Sequence, residues 1–220
     1  MKRILTDRPE MPPRRSRGRP RSFDREAALD AAMEVFHRRG FEGASLAELT
    51  EAMGINPPSL YAAFGDKEGL FLEAIRRYQQ GRVEHCPYVQ EPTARAAIQR
   101  LLTDMAAEFT RNDRPRGCMM VMASCTAGGS SEALQQQLAQ YRQESRARLK
   151  ARIERGIREG ELPPDADAQA LATFYASVLS GMSLQARDGA SRKALLATVE
   201  TAMRAWPEPV AASKARKAAA

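Results

Sequence analysis

The chain has 220 residues, a formal net charge of +7 and 43% hydrophobic residues. That length allows a small domain joined to a larger one. The apolar share permits a buried core, and the basic balance, with a pI near 9.7, points to an acidic partner, nucleic acid before others. A cytoplasmic location with no membrane is expected. No apolar stretch follows the N-terminal charges, and the longest uncharged run, 168–186, is interrupted by Gln169, Thr173, Ser177, Ser180, Ser183 and Gln185. Three cysteines without a secretory signal fit reduced thiols.

Residues 1–22 carry Lys2, Arg3, Arg8, Arg14, Arg15, Arg17, Arg19 and Arg21 against only Asp7 and Glu10, so nearly the whole basic excess sits there. With Pro9, Pro12, Pro13, Gly18 and Pro20 interspersed, the segment reads as a disordered arm, either a solvated leader or a nucleic-acid contact. Helical periodicity begins near Asp24. Leu29, Ala32, Met33 and Phe36 fall on one face, and Gly40 is expected to stop that helix with Phe41 just beyond.

Ser45-Leu46-Ala47-Glu48 fits a capping box, in which the serine hydroxyl accepts from the amide three residues on and Glu48 reaches back. Leu46, Leu49 and Met53 form the stripe of that second helix, and Gly54 ends it. Asn56-Pro57 opens a third helix. Asparagine is a good N-cap, and the missing proline amide would be unpaired in the first turn anyway, which also accommodates Pro58. Leu60 and Phe64 should face inward. Gly65 stops the helix and Asp66 caps a fourth, with Leu70, Phe71, Ala74, Ile75 and Tyr78 apolar on one side.

Further helices are expected at about 93–111, in the apolar stretch 118–127, at 131–159 with Leu134, Leu138, Tyr141, Leu149, Ile153 and Ile157 as its stripe, and at about 166–187 and 190–205. Residues 207–220 read as a disordered tail. No strand pattern is found, so the fold class is all-α, about nine helices in all.

Two short helices joined at Gly54 and preceded by a supporting helix make a helix-turn-helix. From Phe23 to about Arg82 the chain resembles the TetR-family DNA-binding domain. The resemblance is carried by Ala31-Ala32, Phe36, Gly40-Phe41, Ser45-Leu46-Ala47-Glu48-Leu49, Gly54-Ile55, Leu60-Tyr61, Phe64, and Asp66-Lys67-Glu68 with Leu70. It implies a disordered arm at 1–22, a helix-turn-helix domain at 23–82, a helical ligand-binding and dimerisation domain at 92–206, and a tail at 207–220. The implied function is a homodimeric repressor that leaves a palindromic double-stranded DNA operator when a small-molecule effector binds.

A recognition helix enters the major groove N-terminus first, so its leading residues should be short: Asn56, Pro57, Pro58 and Ser59 qualify. Tyr61 and Ser45 can offer hydroxyls to phosphates, or serve only in packing and capping. Lys67 resembles the family's phosphate-contacting lysine. Positions 62 and 63, often a histidine and an aromatic residue in relatives, are both alanine here, which reduces polar readout from that face. Arg17-Gly18-Arg19-Pro20 resembles the core of an AT-hook, with Arg17 and Arg19 suited to a narrow minor groove.

In the C-terminal part, Arg116-Gly117-Cys118-Met119-Met120-Val121 is similar to a Gly-Cys-Leu-Leu-like stretch of one TetR subgroup, some of whose members sense electrophiles or oxidants. Cys118 and Cys125, seven apart, are too distant on a helix for a direct disulfide, about 10 Å. They serve as sensors or as small buried hydrophobes. Cys86 beside His85 is a further thiol to weigh. An effector pocket is expected among Met105, Phe109, Cys118, Met119, Met122, Cys125, Phe174, Val178 and Met182, residues equally able to form plain core. The helix at 166–187 is nearly uncharged all round. With Leu195, Leu196, Val199 and Met203 of the last helix it is expected to build a four-helix dimer interface.

No Walker loop, nucleophile elbow or metal-spaced Cys/His cluster is present, so neither catalysis nor a cofactor nor a metal is expected. An architectural DNA-binding protein without an effector is the alternative function.

Overall fold

The structure, a computed structural model, describes residues 23–83, 87–126 and 131–208. Among the described residues it consists of nine α-helices and no strand: α1 Arg25–Gly43, α2 Leu46–Met53, α3 Pro57–Phe64, α4 Lys67–Val83, α5 Ala94–Phe109, α6 Met119–Thr126, α7 Glu132–Arg158, α8 Ala168–Arg187 and α9 Arg192–Met203. A 3₁₀ turn, Pro87–Gln90, precedes α5. The all-α class expected from the periodicity is the fold observed.

Local chemistry sets most of the boundaries. Asp24, Ser45, Asn56, Thr93, Ser131, Asp167 and Ser191 each accept a backbone amide in the first turn of the following helix. Each cap satisfies a donor that the helix itself leaves unpaired. At the other end of α2, Gly54 adopts φ +65°, and its amide donates to Glu51 and Thr50. A left-handed residue there turns the chain sharply enough for α3 to cross α2.

Two sequence expectations need correction. Gly40 does not end α1. Its φ of 72° and ψ of 179° kink the helix, which runs one further turn to Gly43. The kink turns Phe41 into the core, where its ring packs against Phe36 and Phe71. The capping box is half made: Ser45 Oγ accepts from the Glu48 amide at 3.1 Å, but the Glu48 carboxylate pairs with Arg39 Nε at 3.2 Å. A charged donor from α1 outcompetes the neutral Ser45 amide.

Two apolar cores hold the molecule together. The first gathers Leu29, Phe36, Leu49, Leu60, Phe64, Leu70, Phe71 and Ile75 from α1 to α4. It also takes in Met119 and Ala123 of α6 and Leu134 and Leu138 of α7. The second is built on Ile98, Leu102, Phe109, Leu149, Ile153, Tyr175, Met182, Leu195, Val199 and Trp206. Helix α7, 27 residues or about 40 Å long, therefore has its first half in one core and its second half in the other. Tyr141 and Ile157, assigned to its buried stripe from the periodicity, are only partly buried.

Leu195, Val199 and Met203 of α9 are also in the second core. Their assignment to a partner interface is corrected accordingly: the protomer itself covers them, and Leu196 alone of that group is partly exposed. Among the described residues no helix is long and apolar enough to cross a membrane.

Candidate nucleic-acid interface

The outer end of the molecule is formed by α2, α3 and the start of α4. Leu60 and Phe64 anchor α3 from beneath, fully and almost fully buried. The opposite face leaves Asn56, Pro57, Pro58, Tyr61 and Ala62 exposed and Ser59 half-buried. Tyr61 is 46% exposed, unusual for an aromatic side chain. Its hydroxyl, like that of Ser59, has no hydrogen-bond partner among the described residues. The candidate contact residues thus share one slim surface with no carboxylate on it.

Asn56 is more constrained than its sequence position implies. Its Oδ1 accepts the Ser59 amide at 2.9 Å, which holds the side chain as a cap and leaves the Nδ2 donors to address a base or phosphate. Ser45 is exposed at the N-terminus of α2, but its oxygen already accepts the Glu48 amide. Lys67 Nζ lies 4.6 Å from the centre of the Phe41 ring, a cation–π contact that parks the ammonium beside the α3–α4 turn.

Three features that hold α1, α3 and α4 together were missed in the sequence. Arg25, at the start of α1, donates to the Ala63 carbonyl at 3.3 Å, pairs with Glu73 of α4 at 2.7 Å and lies over the Phe64 ring at 4.5 Å. This one guanidinium ties the end of α3 to two neighbours. Gly69 allows α4 to approach that end: a Cβ there would stand 2.3 Å from the Phe64 carbonyl oxygen. Arg77 of α4 pairs with both Glu26 and Asp30 of α1. Neither arginine carries a local sequence signal, since their partners lie 38 to 51 residues away.

The surface is linked to the rest of the molecule at a polar junction. His37 of α1 is buried, and its Nε2 donates to the Gly117 carbonyl at 3.2 Å. Gly117, at φ +85°, lies so close to α8 that a Cβ would meet Ser183 O at 2.8 Å. Ser183 Oγ in turn accepts the Cys118 amide at 2.8 Å. From the last turn of α8, Arg187 donates to the carbonyls of His37 and Arg38. The Gly-Cys segment singled out in the sequence is thus the place where α1, α6 and α8 meet.

The expected effector residues separate. Met105, Phe109, Cys118 and Met182 share the second core, with Val178 partly buried against it. Met119 lies in the first core, and Met122 is buried in α6. Phe174 is 41% exposed and stands outside both cores, although its ring touches Tyr175 edge-on at 5.0 Å. Arg17, Arg19, His85 and Cys86 lie outside the described residues, as do the Cys125 side chain and residues 209–220. Among the described residues no group of three or more metal-ligating side chains comes together.

Comparison with known proteins gives the same picture from an independent direction. Residues 28–74 match the family described as bacterial regulatory proteins, tetR family, and residues 94–206 match the tetracyclin repressor-like C-terminal domain. The chain is 38% identical over 201 residues to the HTH-type transcriptional repressor ComR of Escherichia coli K12, covering 90% of this chain and 95% of that protein. It is 34% identical over 190 residues to the repressor BdcR of the same organism, covering 84% and 90% respectively. Among solved structures, a cysteine mutant of the regulator CifR complexed with 26-bp double-strand operator DNA matches with 52% identity and a TM-score of 0.81, covering 86% of this chain and all of that one.

Proposed function

The chain belongs to the TetR family of bacterial transcription regulators, and from that premise we propose that it is a cytoplasmic repressor that binds a palindromic operator as a homodimer and releases it when a small-molecule effector occupies the C-terminal domain. The observation that carries this reading is the likeness over nearly the whole chain, at 52% identity, to a regulator in complex with operator DNA. The exposed, carboxylate-free face of α3 supports it physically, because a negative charge there would oppose the phosphates. In this reading residues 23–82 contact DNA, 92–206 sense and dimerise, and the basic arm with Arg17 and Arg19 follows the minor groove beside the operator.

The dimer surface is the open face of α8. Phe174, Ser177, Gly181 and Leu184 recur at helical spacing, and Phe174 and Leu184 are each 41% exposed. An added Cβ at Gly181 meets nothing within 4 Å in the protomer, which leaves room for a second helix. The effector site is centred on Met105, Phe109, Cys118, Val178 and Met182, soft side chains that can repack around a ligand. Thiol sensing by Cys86, Cys118 or Cys125 is the chemical version of the same signal. Both routes reach the DNA-binding end through α4, α6 and α7.

Selecting genomic fragments with the purified protein tests this proposal. A palindromic sequence enriched and protected by two protomers supports it. Retention of DNA without sequence preference would favour the architectural alternative instead.

A further inference from the structure

The junction between α1 and α8 contains a groove of about 440 Å³ lined by Glu34, Arg38, Asn112, Asp113, Arg114, Pro115, Arg116 and Arg187. Four guanidinium groups face two carboxylates, so the lining carries a net positive charge. Asp113 is held down to about 2, chiefly by its hydrogen bond from Arg111, and so stays ionised as the partner of that side chain outside the groove. Glu34 reaches Arg38 only at 4.0 Å. Arg114 is engaged by Glu108 at 2.8 Å.

That leaves Arg116 and Arg187 with no carboxylate within ion-pair distance among the described residues. Both are held by neutral oxygens. Arg116 Nη2 donates to the Ala190 carbonyl at 2.7 Å, and Arg187 donates to the carbonyls of His37 and Arg38. Arg116 Nε is buried and makes no hydrogen bond. Arg116 and Arg187, without a carboxylate partner, leave positive charge along the groove that an oxyanion would offset. Arginine forks suit planar or tetrahedral oxyanions.

We propose that this groove is a binding site for a small oxyanion, a carboxylate or phosphate group, held between Arg38 of α1 and Arg116 and Arg187 of the sensor side. It lies apart from the methionine-rich core centred on Met105 and Met182. A ligand there would bridge the two halves of the protomer, since Arg38 belongs to the DNA-binding end and Arg116 and Arg187 to the other. The site does not depend on the operator reading, because it is defined in the protein without DNA.

The test is calorimetric titration of the DNA-free full chain with inorganic phosphate and, separately, with succinate, chloride being adjusted to constant ionic strength. Saturable binding of one probe identifies its chemistry, phosphate or carboxylate. Arg116→Gln and Arg38→Gln should each weaken it by about tenfold or more, the usual weight of one charged hydrogen bond. Arg38→Gln guards against misfolding, because only the backbone carbonyl of Arg38 is used by Arg187 and its side chain is more than half exposed. Arg95→Gln, on the exposed face of α5, should leave binding unchanged. Absence of saturable binding for both probes, or equal binding by wild type and both groove variants, would overturn the proposal.

Discussion

Both oxygens of the Glu68 carboxylate accept hydrogen bonds from Ser131: the amide donates at 2.9 Å and the hydroxyl at 2.5 Å. Glu68 stands in the first turn of α4, next to Lys67 and one turn beyond the recognition helix. Ser131 is the N-cap of α7, whose far half lies in the second core. The two residues therefore fasten the start of the longest helix to the edge of the candidate DNA-binding surface. In the repressor reading, a shift at Ile153 or Leu149 of α7 is delivered to the turn that carries Lys67.

Replacing Ser131 by alanine removes both the hydroxyl bond to Glu68 and the cap on the Leu134 amide. A loss of about 1–2 kcal/mol in unfolding free energy is expected, measured by urea denaturation. Ser131→Thr, which keeps the hydroxyl, should restore most of it. An alanine variant as stable as wild type would show that the contact is not made in solution.

Gly69→Ala should destabilise, although alanine is the better helix former by about 1 kcal/mol. The reason is steric: the new methyl would stand 2.3 Å from the Phe64 carbonyl, which is backbone and cannot rotate away. The expected net cost is about 1–3 kcal/mol, with weakened operator binding because α3 must shift. A variant more stable than wild type would mean that α3 and α4 are not this close.

Charge placed on the open stripe of α8 should separate the protomers. Phe174→Asp and Leu184→Asp alter exposed side chains, so helicity by circular dichroism should be retained while sedimentation shifts from dimer to monomer. Gly181→Leu should act the same way, since its Cβ has free space in the protomer but would collide with a partner helix. Dimers persisting in all three variants would place the interface elsewhere.

Lys67→Ala should weaken binding to all DNA sequences alike and reduce the salt dependence by about one unit of slope, as expected when one phosphate contact is lost. Asn56→Ser keeps a side-chain acceptor for the Ser59 amide and removes only the Nδ2 donors. It should alter preference at particular base pairs with little change in the slope. The opposite pattern for the two variants, measured by anisotropy at several salt concentrations, would exchange their roles.

Much of the fold was legible because it rests on short-range rules. Asn56 with Pro57, Ser45, Asp66 and Gly54 act within four residues of themselves, and their effect is written in the local sequence. The candidate interface was legible for the same reason, being the uncovered side of one short helix whose other side is Leu60 and Phe64. What could not be read depends on distant partners. Arg187 meets His37 across 150 positions, and no periodicity points from one to the other. Phe174 and Met182 share α8 and a similar hydropathy, but only packing decides that the first faces out and the second is fully buried. The kink at Gly40 differs from a stop only because Phe41 finds a place against Phe71.

The central claim is that the outer face of α3 reads DNA, and Ala62 tests it most directly. Its side chain is exposed on that face, in a short helix whose anchoring residues lie on the other side. Ala62→Asp should fold and dimerise as wild type does but add a negative charge where the phosphates and base edges approach. The measurement is a titration of a selected operator with both proteins at one salt concentration, circular dichroism confirming equal helicity. The account predicts tight, saturable binding by wild type with half-site centres about 34–36 Å apart or a multiple of that, and binding by the variant weakened by at least about a hundredfold. Equal affinity of the two proteins would contradict it, because the recognition surface would then lie on some other part of the molecule.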